Sequence, residues 1–281
     1  MNKSGSSSSL KVAIWSIVVV VVAVALIVVV KLNAGSTSVS TVTKPASAEL
    51  IAKITKISTA VFSKVAQGSA TKLPTTISSG EAYTVGGKPA ILYVGAEYCP
   101  YCAAERWPVT IALSRFGSFT GLGATTSSAT DAYPSTASLS YHGSTYTSDI
   151  LSFTGLEQTS NQPEGNSYTK LDTLTADQQA IVTKYDATPY VPANSAGSIP
   201  FIYIGGKFVN VGSSYDVSLL QGKTQDEIAN AIRDPSTAIS KGVIGAANII
   251  TASICTLTSN APANVCQVSA ITAIQASLGA K

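Results

Sequence analysis

At 281 residues the chain has room for an anchor plus one sizeable domain or two small ones, and its 45% apolar residues exclude a disordered chain. Asp, Glu, Lys and Arg make up only 12%, about half the usual share, while Ser and Thr fill 68 positions, so hydroxyls rather than charges pave the surface. A net charge of +3 with no basic cluster excludes a nucleic-acid partner, because phosphate binding needs concentrated Lys and Arg.

Residues 1–11 read as a short cytoplasmic tail. Val12 to Val30 is an uncharged, mostly aliphatic run bounded by Lys11 and Lys31. At about 1.5 Å per residue it reaches about 28 Å, enough to span a bilayer. It is longer than the apolar region of a cleaved signal peptide, so the expectation is an uncleaved single-pass anchor. The positive-inside bias is slight, with Lys3 and Lys11 before the span and Lys31 and Lys44 after it. Orientation therefore rests on the charge-poor composition and on cysteines in two local pairs, which fit an oxidising exterior. The expected location is the cell membrane with the domain extracytoplasmic. Few carboxylates also mean few groups whose protonation would weaken the fold, so the exterior is expected to be acidic.

Residues 31–46, small and polar, read as a flexible stalk, and the domain covers 47–281. Leu50, Ile51, Ile54, Ile57, Val61, Phe62 and Val65 recur at helical spacing and predict one amphipathic helix over about 47–67. Tyr83-Thr84-Val85, Gly86-Gly87 and Lys88 to Val94 predict a hairpin whose second strand runs into Cys99. A helix begins at the cysteines, and Pro108 is expected to kink it or end its first part. Residues 120–170 mix short strand-like pieces with turn formers and resist ordering. Thr175 with Gln178 and Thr224 with Glu227 are capping-box starts. Ile199 to Ile204, Gly205-Gly206 and Lys207 to Val211 predict a second hairpin. Helical runs over about 237–253 and 261–278 close the chain.

Cys99-Pro100-Tyr101-Cys102 is the feature that carries chemistry. At a helix start the first sulfur lies beside unpaired N–H groups that favour its thiolate. Cys99 is therefore the candidate nucleophile, expected to be exposed, and Cys102 the more buried resolving thiol. Pro100 suits the first helical turn, and Tyr101 helps set the potential. A lone C-x-x-C also serves zinc sites and structural crosslinks. Its position between a buried strand and a helix, with a Pro-led strand about a hundred residues later, points to redox chemistry.

Ile91 to Ala96, Cys99-Pro100-Tyr101-Cys102, Ile199-Pro200 and the hairpin to Val211 resemble the thioredoxin superfamily. The run GKPAILYVGAEYCPYCAAERWPVTIALSRFG is more specifically similar to the membrane-anchored domain-of-unknown-function family 929. The resemblance implies an α/β, thioredoxin-like fold with a long insertion, about 120–190, between the C-x-x-C helix and the cis-proline strand. An N-terminal transmembrane helix and a C-terminal helical hairpin, about 237–278, complete it. It also implies that Pro200 is cis against the dithiol and that Ile199 offers backbone hydrogen bonds to a bound peptide, with Pro100 and Tyr101 beside it. The implied partners are thiols or disulfides of exported proteins, and no cofactor or metal is called for. Departures are clear: no His lies between the cysteines, and no acid sits on the strand where thioredoxins bury an Asp. Glu97 or Glu105 is left as a candidate for proton transfer, each read first as a surface charge.

Cys255 and Cys266, eleven positions apart, are placed to staple the helical hairpin, a closure of about a dozen residues that the loop-entropy account values at about 3 kcal/mol. Electron shuttling with the first pair is the functional alternative, and a four-cysteine zinc site lacks the usual short spacing. His142 reads as a loop residue, and Arg106 and Trp107 read as a surface charge and a core side chain. Beside the oxidoreductase stand two other readings, a non-catalytic thioredoxin-like binding module and a thiol-based metal-handling protein.

Overall fold

The computed structural model describes residues 42–278. The expected tail 1–11, the span 12–30 and the stalk as far as residue 41 lie outside the described residues. The rest of the stalk includes β1 (Lys44–Pro45), which is antiparallel to β6 (Gly123–Thr126).

The helix expected over 47–67 is two helices, α1 (Ala48–Thr55) and α2 (Thr59–Val65). Ser47 and Ser58 cap them, each accepting a backbone N–H at its own N-terminus. The second serine interrupts the apolar period because a hydroxyl that caps a new helix competes with continuing the old one.

Three short pieces follow, β2 (Thr75–Thr76), β3 (Thr84–Val85) and β4 (Lys88–Gly95), then α3 (Pro100–Leu113). Pro108 does not end α3. The carbonyl it leaves without a partner, Ala104, accepts the Tyr215 hydroxyl, and the neighbouring Ala103 and Arg106 carbonyls accept from Ser138 and Tyr141. The Tyr215 hydroxyl thus replaces the one donor the proline lacks.

The stretch 120–190, read as one insertion, divides in two ways. β5 (Ser118–Thr120), β7 (Ala137–Ser140) and β8 (Thr145–Thr147) form small sheets with β6 and with each other. β9 (Ser152–Glu157), by contrast, enters the central sheet parallel to β4, pairing Ala90 to Gly95 with Ser152 to Glu157. A β10 (Thr159–Glu164) and β11 (Ser167–Lys170) hairpin and the capped helix α4 (Ala176–Tyr185) come next.

β12 (Phe201–Ile204) and β13 (Phe208–Val211) complete the sheet, whose order is β2-β13-β12-β4, with β9 and β3 on the far edge of β4. Side chains alternate across it. Ile91, Tyr93, Ile202 and Ile204 face α3 and the long helix α6 (Ala238–Leu257), and α5 (Gln225–Ile232) contributes Ile228 and Ile232 to the same core. Leu92, Val94, Phe201 and Tyr203 face Tyr185 and Ile181 of α4.

Helix α6 is long and apolar enough to cross a membrane, but 89% of its apolar window is buried inside the domain, which makes it a core helix. Its Gly245 lies so close to the chain after α2 that a Cβ there would sit 2.2 Å from the Gln67 carbonyl oxygen. Asn248, buried on α6, donates to the Phe62 and Ala66 carbonyls and so completes the end of α2. Two further helices, α7 (Ala263–Cys266) and α8 (Ser269–Leu278), close the described chain, and a disulfide joins Cys255 of α6 to Cys266 of α7.

Candidate functional site

Strand β4 is buried on both faces and ends at Gly95, so the next four residues form the loop that delivers Cys99 to the N-terminus of α3. Cys99 is the N-cap, and its sulfur accepts the backbone N–H of Cys102 at 3.3 Å. Pro100 occupies the first turn, where a missing N–H costs nothing. Both cysteines are thiols, Cys99 5% exposed and Cys102 fully buried. Cys99 is therefore less open than the exposed nucleophile the sequence suggests.

The two sulfurs differ in acidity. The Cys102 thiol, hydrogen-bonding to Cys99, is the largest influence holding Cys99 below the usual thiol range, and the Cys102 N–H and the Arg106 charge add to it against burial. Burial pushes Cys102 well above that range, and its hydrogen bond to Cys99 adds to the effect.

Ile199-Pro200, a cis peptide, lies opposite, with the Ile199 carbonyl 3.8 Å from the Cys99 sulfur. The fold thus brings Cys99, Cys102 and Ile199-Pro200 together across a hundred residues. Beside them opens a groove of about 430 Å³, bordered by Tyr101, Tyr133, Ile199, Val211, Lys72 and Asp216. Tyr101, 41% exposed, meets Tyr133 edge-on at 5.8 Å. Tyr98, just before Cys99, stacks on Tyr168 of β11 at 4.4 Å, and its carbonyl accepts the Ser128 N–H. Side chains from 120–170 therefore wall a site whose centre they do not supply.

The family model described as a domain of unknown function (DUF929) matches residues 75–256, more than half of the chain, including the dithiol and Ile199-Pro200. The chain belongs to the DUF929 family. No curated protein and no solved structure matches it.

Several charges of this DUF929 domain stand where sequence reasoning did not put them. Arg106 is fully buried rather than a surface charge, with Nε and Nη2 on the two carboxylate oxygens of Glu157 at 2.7 and 2.6 Å. Glu97 and Glu105 are buried as well, because each finds donors. Glu97 accepts from Ser140 and Thr43, and Glu105 takes the backbone N–H and hydroxyl of Ser214. Burial outweighs those donors and pushes Glu105 up to about 7. Trp107 packs in the core, its N–H on the Ala137 carbonyl. His142, in its loop, pairs with Asp172 at 2.7 Å.

Glu157 carried no sequence signal, since it closes a strand in the region that could not be ordered, and the partner that buries it is fifty-one residues away. Cys255 and Cys266 are bonded to each other and lie in the helical core rather than at the groove. Among the described residues, no group of three or more His, Cys, Asp or Glu is placed to hold a metal.

Proposed function

We propose that this domain is a thiol-disulfide oxidoreductase of exported proteins, tethered to the membrane by Val12 to Val30 and working outside it. The observation that carries the reading is the asymmetry of the dithiol. Cys99 sits at a helix N-terminus with its thiolate favoured, and Cys102 sits behind it, buried and held protonated.

A thioredoxin-like fold is supported by the sheet order β13-β12-β4-β9, in which β9 runs parallel to β4 and β12 antiparallel to it. The cis-proline facing Cys99 supports it too. The buried disulfide between Cys255 and Cys266 suits an oxidising compartment.

In the reducing direction the Cys99 thiolate attacks a substrate disulfide, forming a mixed disulfide and releasing one substrate thiolate. Cys102 then attacks the Cys99 sulfur, its proton ending on a substrate sulfur. The second substrate thiolate leaves, and two electrons have passed from the dithiol to the substrate. Oxidation of a substrate dithiol is the same path reversed.

One observation favours a non-catalytic thioredoxin-like module instead, the 5% exposure of Cys99. The deciding experiment uses the full chain in detergent, assayed for insulin reduction and for oxidation of reduced ribonuclease beside Cys99→Ser. Turnover that vanishes in the variant supports the oxidoreductase. Equal rates in both proteins leave the binding module.

A further inference from the structure

Arg106 is a fully buried cation on the helix that carries the dithiol, and its side-chain hydrogen bonds reach three segments: β9, β7 and the loop after β4. One face meets Glu157 at the end of β9, and Nη1 reaches the Ser138 hydroxyl of β7 at 3.3 Å. Nη2 also donates to the Ala96 carbonyl at 2.6 Å. The same carbonyl accepts the backbone N–H of Cys99 at 3.3 Å. The guanidinium and the nucleophile's own backbone therefore share one oxygen, in the turn that sets where Cys99 stands. Arg106 also follows Cys102 by four residues, which places the two on one face of α3.

A buried charge pair is costly to desolvate and is weak evidence for stability as such. Here the cation shares the Ala96 carbonyl with the backbone of Cys99, where a fixed charge has an electrostatic use.

We propose that Arg106, held by Glu157, is a positioning residue of the dithiol: it fixes the Ala96–Cys99 turn and places a permanent positive charge behind both sulfurs. This rests on the oxidoreductase reading. A cation there favours the thiolate, hence the reduced form, and makes the disulfide a stronger oxidant. Glu157 acts with the opposite sign, as the anion that restrains the effect. The influence of Arg106 in favouring the thiolate at both cysteines and of Glu157 in opposing it at Cys102 agrees with this.

The test equilibrates the full chain with glutathione, in which one glutathione disulfide and the dithiol become two glutathione thiols and the Cys99–Cys102 disulfide. Arg106→Met with Glu157→Leu removes both charges without stranding one. It is expected to shift the equilibrium toward the protein disulfide by about tenfold, about 30 mV for a two-electron couple. Glu157→Gln, nearly isosteric, keeps the cation alone and shifts the equilibrium toward the dithiol; it also serves if the double variant does not fold. A pair that is merely structural leaves the equilibrium unchanged or moves it the same way in both variants, and either result overturns the proposal.

Failure of the oxidoreductase reading is separable. In a Cys102→Ser background the pH midpoint of Cys99 alkylation tests Arg106 without any turnover. A higher midpoint in the double variant supports the proposal, and an unchanged one overturns it.

Discussion

The Tyr215 hydroxyl donates to the carbonyl of Ala104, 2.9 Å away, and Ala104 stands four residues before Pro108. That carbonyl is the one the proline cannot serve, so a side chain from beyond β13 allows the dithiol helix to continue to Leu113. Tyr215→Phe should therefore cost about 1–3 kcal/mol by leaving a buried acceptor unpaired. Urea unfolding measures it, and Pro108→Ala in the same background should recover part of the loss by returning the backbone donor.

Glu105 makes stability depend on pH with a definite sign. Its carboxyl is pushed from 4.5 to about 7 by burial, so the fold favours the neutral form. The contribution is fully present below the unfolded value of 4.5 and is lost as pH rises through about 7, a difference of about 3 kcal/mol. Denaturation between pH 4.5 and 8 should show wild-type stability falling relative to Glu105→Gln as pH rises. Parallel profiles for the two proteins would remove this account. The same sign suits a domain expected to face an acidic exterior.

The two thiols should react unequally. With Cys99 held below the ordinary thiol range and Cys102 raised well above it, iodoacetamide near neutral pH should label Cys99 first. Cys102→Ser should accumulate mixed disulfides with substrate proteins, and Cys99→Ser should form none. Mass spectrometry of the trapped species distinguishes the two outcomes.

Removing the Cys255–Cys266 disulfide should lower stability by about 3 kcal/mol, the value expected for a closed loop of about a dozen residues. Cys255→Ala with Cys266→Ala should leave the rate of exchange at Cys99 unchanged. A lost exchange rate in a folded variant would instead point to electron shuttling between the pairs.

Local chemistry made much of this protein readable. The capping boxes at Thr175 and Thr224, the turns at Gly86-Gly87 and Gly205-Gly206, and the dithiol between a strand and a helix are signals spanning a few residues. The charges near the dithiol were not readable in this way. Arg106, Glu105 and Glu97 look like surface groups in a helix and a loop, and partners from distant segments, among them Glu157, Ser214 and Ser140, account for their burial. The β9 strand was obscured for a related reason: its side chains are mostly half-buried, and its place beside β4 depends on a parallel pairing across sixty residues.

The sequence by itself determined the helix starts at Thr175 and Thr224, the two Gly-Gly hairpins and the residues of the dithiol, because capping, turn geometry and side-chain period act between near neighbours. Tertiary structure alone decided that Ile199-Pro200 meets Cys99, that Tyr215 serves the carbonyl Pro108 leaves open, and that the Arg106 guanidinium is buried on Glu157 and the Ala96 carbonyl. A charge enters a core only when its partners arrive with it, and where those partners stand is a property of the whole fold.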